Sequence, residues 1–242
     1  MNGAFENVYE DEERARAYAT LQFPGTYFLA FRDLPELIGR YNRGSAALDF
    51  GCGTGRSTRF LGNLGLHVIG ADISKAMLDQ ARKLDPAGEY HLIRGDISCE
   101  FSPGSFDVIL AAFTFDNMPM EARADALSAF RILLAPEGCL FVVVSSPEIY
   151  VNEWASFSTR NFPENRQASD GDRVHIVMLD VPDRRPVEDV FCTDAQYRRL
   201  FESAGLRVLH VHRPVATGKE ATQWVSETTT AAWTIYVLGS GT

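Results

Sequence analysis

An α/β fold built on a doubly wound, mostly parallel sheet is what this sequence predicts, and three observations carry the prediction. Helix-like and strand-like segments alternate from about Ala46 to Val144. The segment Phe106–Phe113 is a near-continuous apolar run, the pattern of a strand covered on both faces. Between the first strand and the helix behind it lies a glycine-rich turn at Gly51, Gly53 and Gly55. The chain has 242 residues, 45% hydrophobic and 23% charged, enough for one large domain with a sizeable core.

Taken in order, Glu10–Leu21 reads as a charged amphipathic helix ended by Phe23-Pro24-Gly25. A second helix starts at Thr26 and is expected to be interrupted or kinked at Pro35. Ala46–Phe50 is a buried strand, and His67–Ala71 is a second, ending at Asp72. Ser74 caps a helix through Leu84, with Ala76, Met77, Gln80, Ala81 and Leu84 on its inner face. Tyr90–Arg94 is the third strand and Phe106–Phe113 the fourth. A helix runs from Pro119 to about Leu134, Pro136-Glu137-Gly138 forms a turn, and Cys139–Ser145 is the fifth strand.

Beyond Pro147 the texture changes to mixed polar and aromatic residues, with Arg173–Leu179 and Val187–Phe191 as a hairpin. Thr193 caps a helix that buries Tyr197, Leu200, Phe201 and Ala204 and stops at Gly205. Leu206–His212 and Ala232–Leu238 are the last strands. The expected organisation is one domain, 1–242. Its parts are an N-terminal helical lid at 1–45, a core at 46–146, a capping insertion at 147–190 and the end of the sheet at 191–242.

Acidic residues outnumber basic ones 32 to 23, for a net charge of −9. That balance argues against coating nucleic acid or an anionic membrane, since both require dense Lys and Arg. The apolar runs are too short to span a bilayer, and the start lacks a signal-peptide pattern, so a cytoplasmic location is expected. The four cysteines, at 52, 99, 139 and 192, form no metal-binding spacing, and no metal is expected.

The turn carries the functional information. Glycines at 51 and 53 let the backbone reverse and approach a ligand, and the helix behind them offers free N–H groups. Asp49 puts an acid where a dinucleotide site would hold phosphate, so a cationic amine is the better neighbour. Asp72, at the end of the next strand, is suited to two ribose hydroxyls. Asp96 can accept from an adenine amine. Singly, Asp72 and Asp96 can also be turn or helix caps.

Five stretches in register then resemble one family: LDFGCGTG at 48–55, IGADISKAML at 69–78, IRGDI at 93–97, FDVILAAFTF at 106–115 and LLAPEGCLFVVV at 133–144. The set is similar to the class I S-adenosylmethionine-dependent methyltransferases. The resemblance implies a seven-stranded sheet whose last strand is inserted antiparallel. It places Gly51, Cys52 and Gly53 beside the methionine moiety, Asp72 at the ribose with Ile73 against the adenine, and Asp96 with Ile97 at the adenine amine. Ala112 and Phe113 would flank the methionyl portion, and Tyr18, Thr26 and Tyr27 fall where related enzymes fold a lid. It implies S-adenosylmethionine as cofactor and S-adenosylhomocysteine as product.

The expected reaction is in-line methyl transfer to an O or N atom of a small molecule, by a monomer or homodimer. The alternatives are a protein or peptide methyltransferase, a non-catalytic relative that binds the same cofactor, and a nicotinamide-dependent reductase. Arg56, where a dinucleotide site needs a small residue, argues against the last. Active sites of open α/β sheets lie beyond the carboxyl ends of the strands, which nominates Phe115, Asp116, Asn117, Ser145, Ser146 and His212. Asp116 and His175 are the candidate bases. Phe23, Tyr27, Phe28, Tyr150, Trp154, Phe157 and Phe162 can wall an apolar pocket or pack the core.

Overall fold

The structure is a computed structural model that describes residues 25–241. The segment holding the expected helix Glu10–Leu21, its break at Phe23-Pro24 and the lid candidate Tyr18 lies outside the described residues. Helix α1 (Gly25–Tyr41) buries Tyr27, Leu29, Ala30, Phe31, Leu34, Leu37 and Ile38, apolar positions three and four apart. It runs through Pro35 without a break, contrary to expectation. Its start is anchored in three directions. The Thr26 hydroxyl donates to Glu227, the Thr26 amide donates to Ser156 Oγ, and Trp233 Nε1 donates to the Thr26 carbonyl.

The sheet follows as β1 (Ala46–Phe50), α2 (Arg56–Asn63), β2 (His67–Asp72), α3 (Lys75–Leu84), β3 (Glu89–Leu92), β4 (Phe106–Ala112), α4 (Met120–Leu133) and β5 (Leu134–Ser145). After the insertion, with β6 (Phe157–Ser158), β7 (Arg173–Met178) and β8 (Val187–Val190), come α5 (Asp194–Ser203), β9 (Leu206–His212) and β10 (Trp233–Ser240). Seven strands form the main sheet in the order β3-β2-β1-β4-β5-β10-β9. β10 pairs antiparallel with both β5 and β9, and the pairs from β3 to β5 are parallel. The expected seven-stranded, doubly wound sheet with an antiparallel last strand is therefore present. Strand order reverses between β1 and β4, and such a switch point opens a crevice at the strands' carboxyl ends.

Both faces of the central strands β1, β4 and β5 are buried, as the continuous apolar runs require. Along β5, Cys139, Phe141 and Val143 pack with α1 and the insertion, while Leu140, Val142 and Val144 pack with α4 and α5. Ile149, Tyr150, Trp154, Phe157, Val174 and Ile176 of the insertion join the first of these cores. Their strands make a separate three-stranded antiparallel sheet, β6-β7-β8, and the expected hairpin is its β7-β8 pair.

Local details differ from the sequence reading. The Pro136-Glu137-Gly138 turn is an irregularity inside β5. Phe106 pairs with Leu134 and Val108 with Cys139, so the intervening residues loop out opposite Asp107. On α3, Leu78 is buried while Leu84 is exposed, because the helix face rolls toward Met77, Leu78 and Ala81. No helix among the described residues is long and apolar enough to cross a membrane.

Candidate active site

The site begins where β1 runs into the glycine turn. Gly51 and Gly53 have φ of +69° and +54°, a region that a Cβ makes costly. The amides of Gly51 and Cys52 both donate to the Ala71 carbonyl, which folds the turn back onto β2. Asp72, at the end of β2, locks it there: Oδ2 accepts from the Gly53 amide at 2.8 Å and Oδ1 from the Ser74 amide at 2.8 Å. Burial pushes the Asp72 carboxyl up, and these backbone donors oppose the shift.

Asp49 lies behind the turn. Its Oδ2 accepts from the hydroxyls of Ser57 at 2.7 Å and Thr58 at 2.6 Å, while Oδ1 is buried and accepts no hydrogen bond. Burial lifts its pKa to about 6. Asp49 is not part of the cavity wall described next, so its expected place beside a ligand amine becomes a place one layer back.

A cavity of about 370 Å³ opens beside the turn. Gly51, Cys52, Gly53, Asp72, Ile73, Ala112, Phe113 and Tyr27 line it, so eight of the expected binding residues converge on one space. Phe113 has a φ of +61°, the sole positive value at a non-glycine among the described residues, and strain of this kind clusters at functional sites. Its ring meets Trp233 at 4.7 Å and Tyr27 at 5.3 Å, and Phe157 lies 5.1 Å from Tyr27, all four rings being on the wall. The guanidinium of Arg56, also on the wall, stands 5.4 Å from the Tyr27 ring.

A polar cluster completes the wall. Asp116, in the turn after β4, accepts from the Ser145 amide at 3.0 Å and from the Ser145 hydroxyl at 3.0 Å. Asn117 donates to Asp189 of β8 at 2.7 Å, and the Tyr150 hydroxyl donates to the other Asp189 oxygen at 3.1 Å. Burial holds both carboxyls above the ordinary range, and the negative charge of Asp116 raises Asp189 further. Behind them Arg123, fully buried, donates to the carbonyls of Met118 and Val190.

Several expectations are corrected. Asp96 is exposed and caps a short turn by accepting from the Ser98 amide at 2.9 Å and hydroxyl at 2.8 Å; it is not on the cavity wall. Ile97 is buried in the core, and Ile93 takes the place on the wall. His175 is not on the wall either. Strand alternation sends Val174, Ile176 and Met178 inward, and the His175 ring lies 3.4 Å from Glu188 and 5.4 Å from Phe162. His212 pairs with Asp33 at 2.7 Å, away from the cavity. Tyr150, Trp154 and Phe162 are off the wall, whereas Tyr27 and Phe157 are on it. Among the described residues no group of three or more His, Cys, Asp and Glu is placed to hold a metal ion.

The sequence reading missed Asp189, Arg56 and Trp233 as wall residues. A signal for Asp189 existed. In Val187-Glu188-Asp189-Val190 the aspartate shares the buried face with Val187, and an acid on an inward strand position marks a site or a pair.

A family model described as a methyltransferase domain matches residues 47–138. The chain is 33% identical over 108 residues to an 18S rRNA (guanine-N(7))-methyltransferase of Bos taurus, covering 43% of this chain and 38% of that protein. It is 32% identical over 102 residues to a ubiquinone biosynthesis O-methyltransferase of Burkholderia vietnamiensis, covering 40% and 43%. The chain thus spans less than half the length of both relatives. An S-adenosylmethionine-dependent methyltransferase structure from Clostridium acetobutylicum superimposes with a TM-score of 0.62 at 16% identity, over 97% of each chain, a likeness of fold. The core that carries the glycine turn, residues 47–138, thus matches a methyltransferase domain, and the chain shares the fold of S-adenosylmethionine-dependent methyltransferase structures.

Proposed function

We propose that the protein transfers the methyl group of S-adenosylmethionine to an O or N atom of a small molecule. One observation carries the reading: the glycine turn of the core and the carboxylate of the insertion line the same cavity. Gly51 and Gly53, at positive φ, bring bare backbone to the cavity wall, and the acceptor capacity left on the Asp72 carboxylate suits a vicinal diol. The residues fit the cofactor. Bound S-adenosylmethionine supplies a methyl group made electrophilic by the attached sulfonium.

The chain's own residues do the rest. Tyr27, Phe113, Phe157 and Trp233 keep the wall apolar and exclude water. Asp116 and Asp189 can take a proton from an acceptor, and their raised carboxyls hold it near neutral pH. The insertion at 147–190 closes over this space and sets acceptor choice, together with the N-terminal segment, within a single domain. Long segments at a strand rim commonly carry that role.

A small acceptor is favoured over RNA because the net charge is −9 and the wall pairs aromatic rings with acids. The relatives' acceptors do not decide the matter, since the matches leave most of each relative uncovered. The test is incubation of a metabolite extract with the protein and a methyl-labelled donor. Labelled small products are expected, and label confined to macromolecules would reverse the proposal. Calorimetric titration should show binding of S-adenosylhomocysteine and none of NAD.

A further inference from the structure

We infer that the methyl acceptor is an amine on an apolar body, received as its ammonium by Asp116 and Asp189. The inference rests on the methyl-transfer reading above and adds the class of substrate.

The cavity makes this a site, and the carboxylates tell what it accepts. Asp116 comes from the main sheet and Asp189 from the inserted one, yet both line the same space, 6% and 3% exposed. Each keeps unused acceptor capacity. Asp189 receives one hydrogen bond per oxygen, from Asn117 and from Tyr150, and a carboxylate offers about four sites. A hydroxyl acceptor needs one such group to take its single proton and has no use for a second. An ammonium has three N–H donors and a charge, and matches two carboxylates.

The charge balance agrees. The groups facing the pair are Arg123, Tyr150, Tyr197, Cys192 and, more distantly, His175. Of these Arg123 alone is a permanent cation, so when both carboxyls are ionised the buried cluster is one positive charge short, a place that a carboxyl proton otherwise fills. A ligand ammonium closes that deficit. The other charged wall residues, Arg56 and Asp72, belong to the glycine turn, where Arg56 faces the charge of Asp49 behind it.

The aromatic wall points the same way. Tyr27, Phe113, Phe157 and Trp233 line the cavity with ring centres 4.7 to 5.6 Å apart, and aromatic faces attract a desolvated cation. The chemistry the pair then performs is a proton transfer. The ammonium N–H bond breaks, its electron pair stays on nitrogen as the lone pair, and an O–H bond forms on a carboxylate. No further reactant is required.

The experiment is calorimetry at pH 7.5 on the full chain saturated with S-adenosylhomocysteine. The probes are 2-phenylethylamine and tryptamine, each against its alcohol, 2-phenylethanol and tryptophol. Each amine should bind about ten- to a hundredfold more tightly than its alcohol. In Asp189→Asn the preference should fall to about unity while S-adenosylhomocysteine still binds, which shows an intact fold, and in Asp116→Asn it should shrink. Alcohols binding as tightly as amines, a preference that survives in both variants, or no binding of either amine would overturn the inference. If a variant fails to hold S-adenosylhomocysteine, the wild-type comparison decides alone. If the wild type itself fails to bind S-adenosylhomocysteine, the methyl-transfer reading is what falls.

Discussion

Replacing Asp72 by alanine separates two roles that the structure gives to one carboxylate. The first is internal: Asp72 accepts the amides of Gly53 and Ser74, both at 2.8 Å, in a buried position. Leaving two buried N–H groups without an acceptor costs about 1–3 kcal/mol each, so a stability loss of roughly 2–6 kcal/mol is expected in urea unfolding. The second is toward the ligand, since Asp72 lines the cavity and a carboxylate oxygen can accept more than one hydrogen bond. Two charge-assisted hydrogen bonds from ribose hydroxyls are worth about 2–4 kcal/mol, a loss of about 30- to 900-fold in S-adenosylhomocysteine affinity. A loosened turn also weakens binding, so the assay needs a second arm. The 2′,3′-dideoxy analogue of S-adenosylhomocysteine should bind the wild type far more weakly than the parent, and the two ligands should bind Asp72→Ala alike. If the variant still prefers the parent as strongly as wild type does, or keeps full affinity, Asp72 merely ties down the turn and the ribose assignment is wrong.

Two further outcomes follow from the same turn. Gly51→Ala forces an L side chain to φ +69° and puts its Cβ 2.3 Å from the Thr114 side chain, so thermal or urea unfolding should show a loss of about 2–4 kcal/mol. Adding Thr114→Ala removes the two atoms at 2.3 Å but leaves the Thr114 Cβ at 2.8 Å, so it should recover part of the loss and leave the backbone strain; full recovery, or none, would contradict this division. Asp49, held protonated to about pH 6 by burial against an ordinary 3.8, is favoured in the folded state as the neutral acid. Its contribution is complete below about pH 4 and is lost as pH rises through 6, while an asparagine does not titrate. Asp49→Asn should therefore gain on wild type by roughly 3 kcal/mol between pH 4 and pH 7 in urea unfolding, and parallel pH profiles would refute the assignment.

By itself the sequence determined what depends on near neighbours along the chain. The strand-turn-helix at Asp49–Ser57, the Ser74 and Thr193 caps, the Gly205 stop and the paired-face burial of β4 and β5 are local patterns of period, cap and backbone freedom. These are set by residues a few positions apart, and they carried the fold class and the glycine-turn half of the site. Their limits were local too: a proline inside α1 and a proline-glycine pair inside β5 read as breaks because the packing that overrides them is distant in sequence. The tertiary structure alone decided which side chains meet across that distance. His175 and Ile176 are adjacent, yet only the second reaches the cavity, because docking of the inserted sheet chooses which strand face points inward. Asp116 and Asp189 are 73 positions apart, and nothing periodic links them. They share a wall because strand order reverses between β1 and β4 and the insertion packs back over the opening. That is a property of the assembled layers, whose burial of apolar area fixes where polar groups end up together.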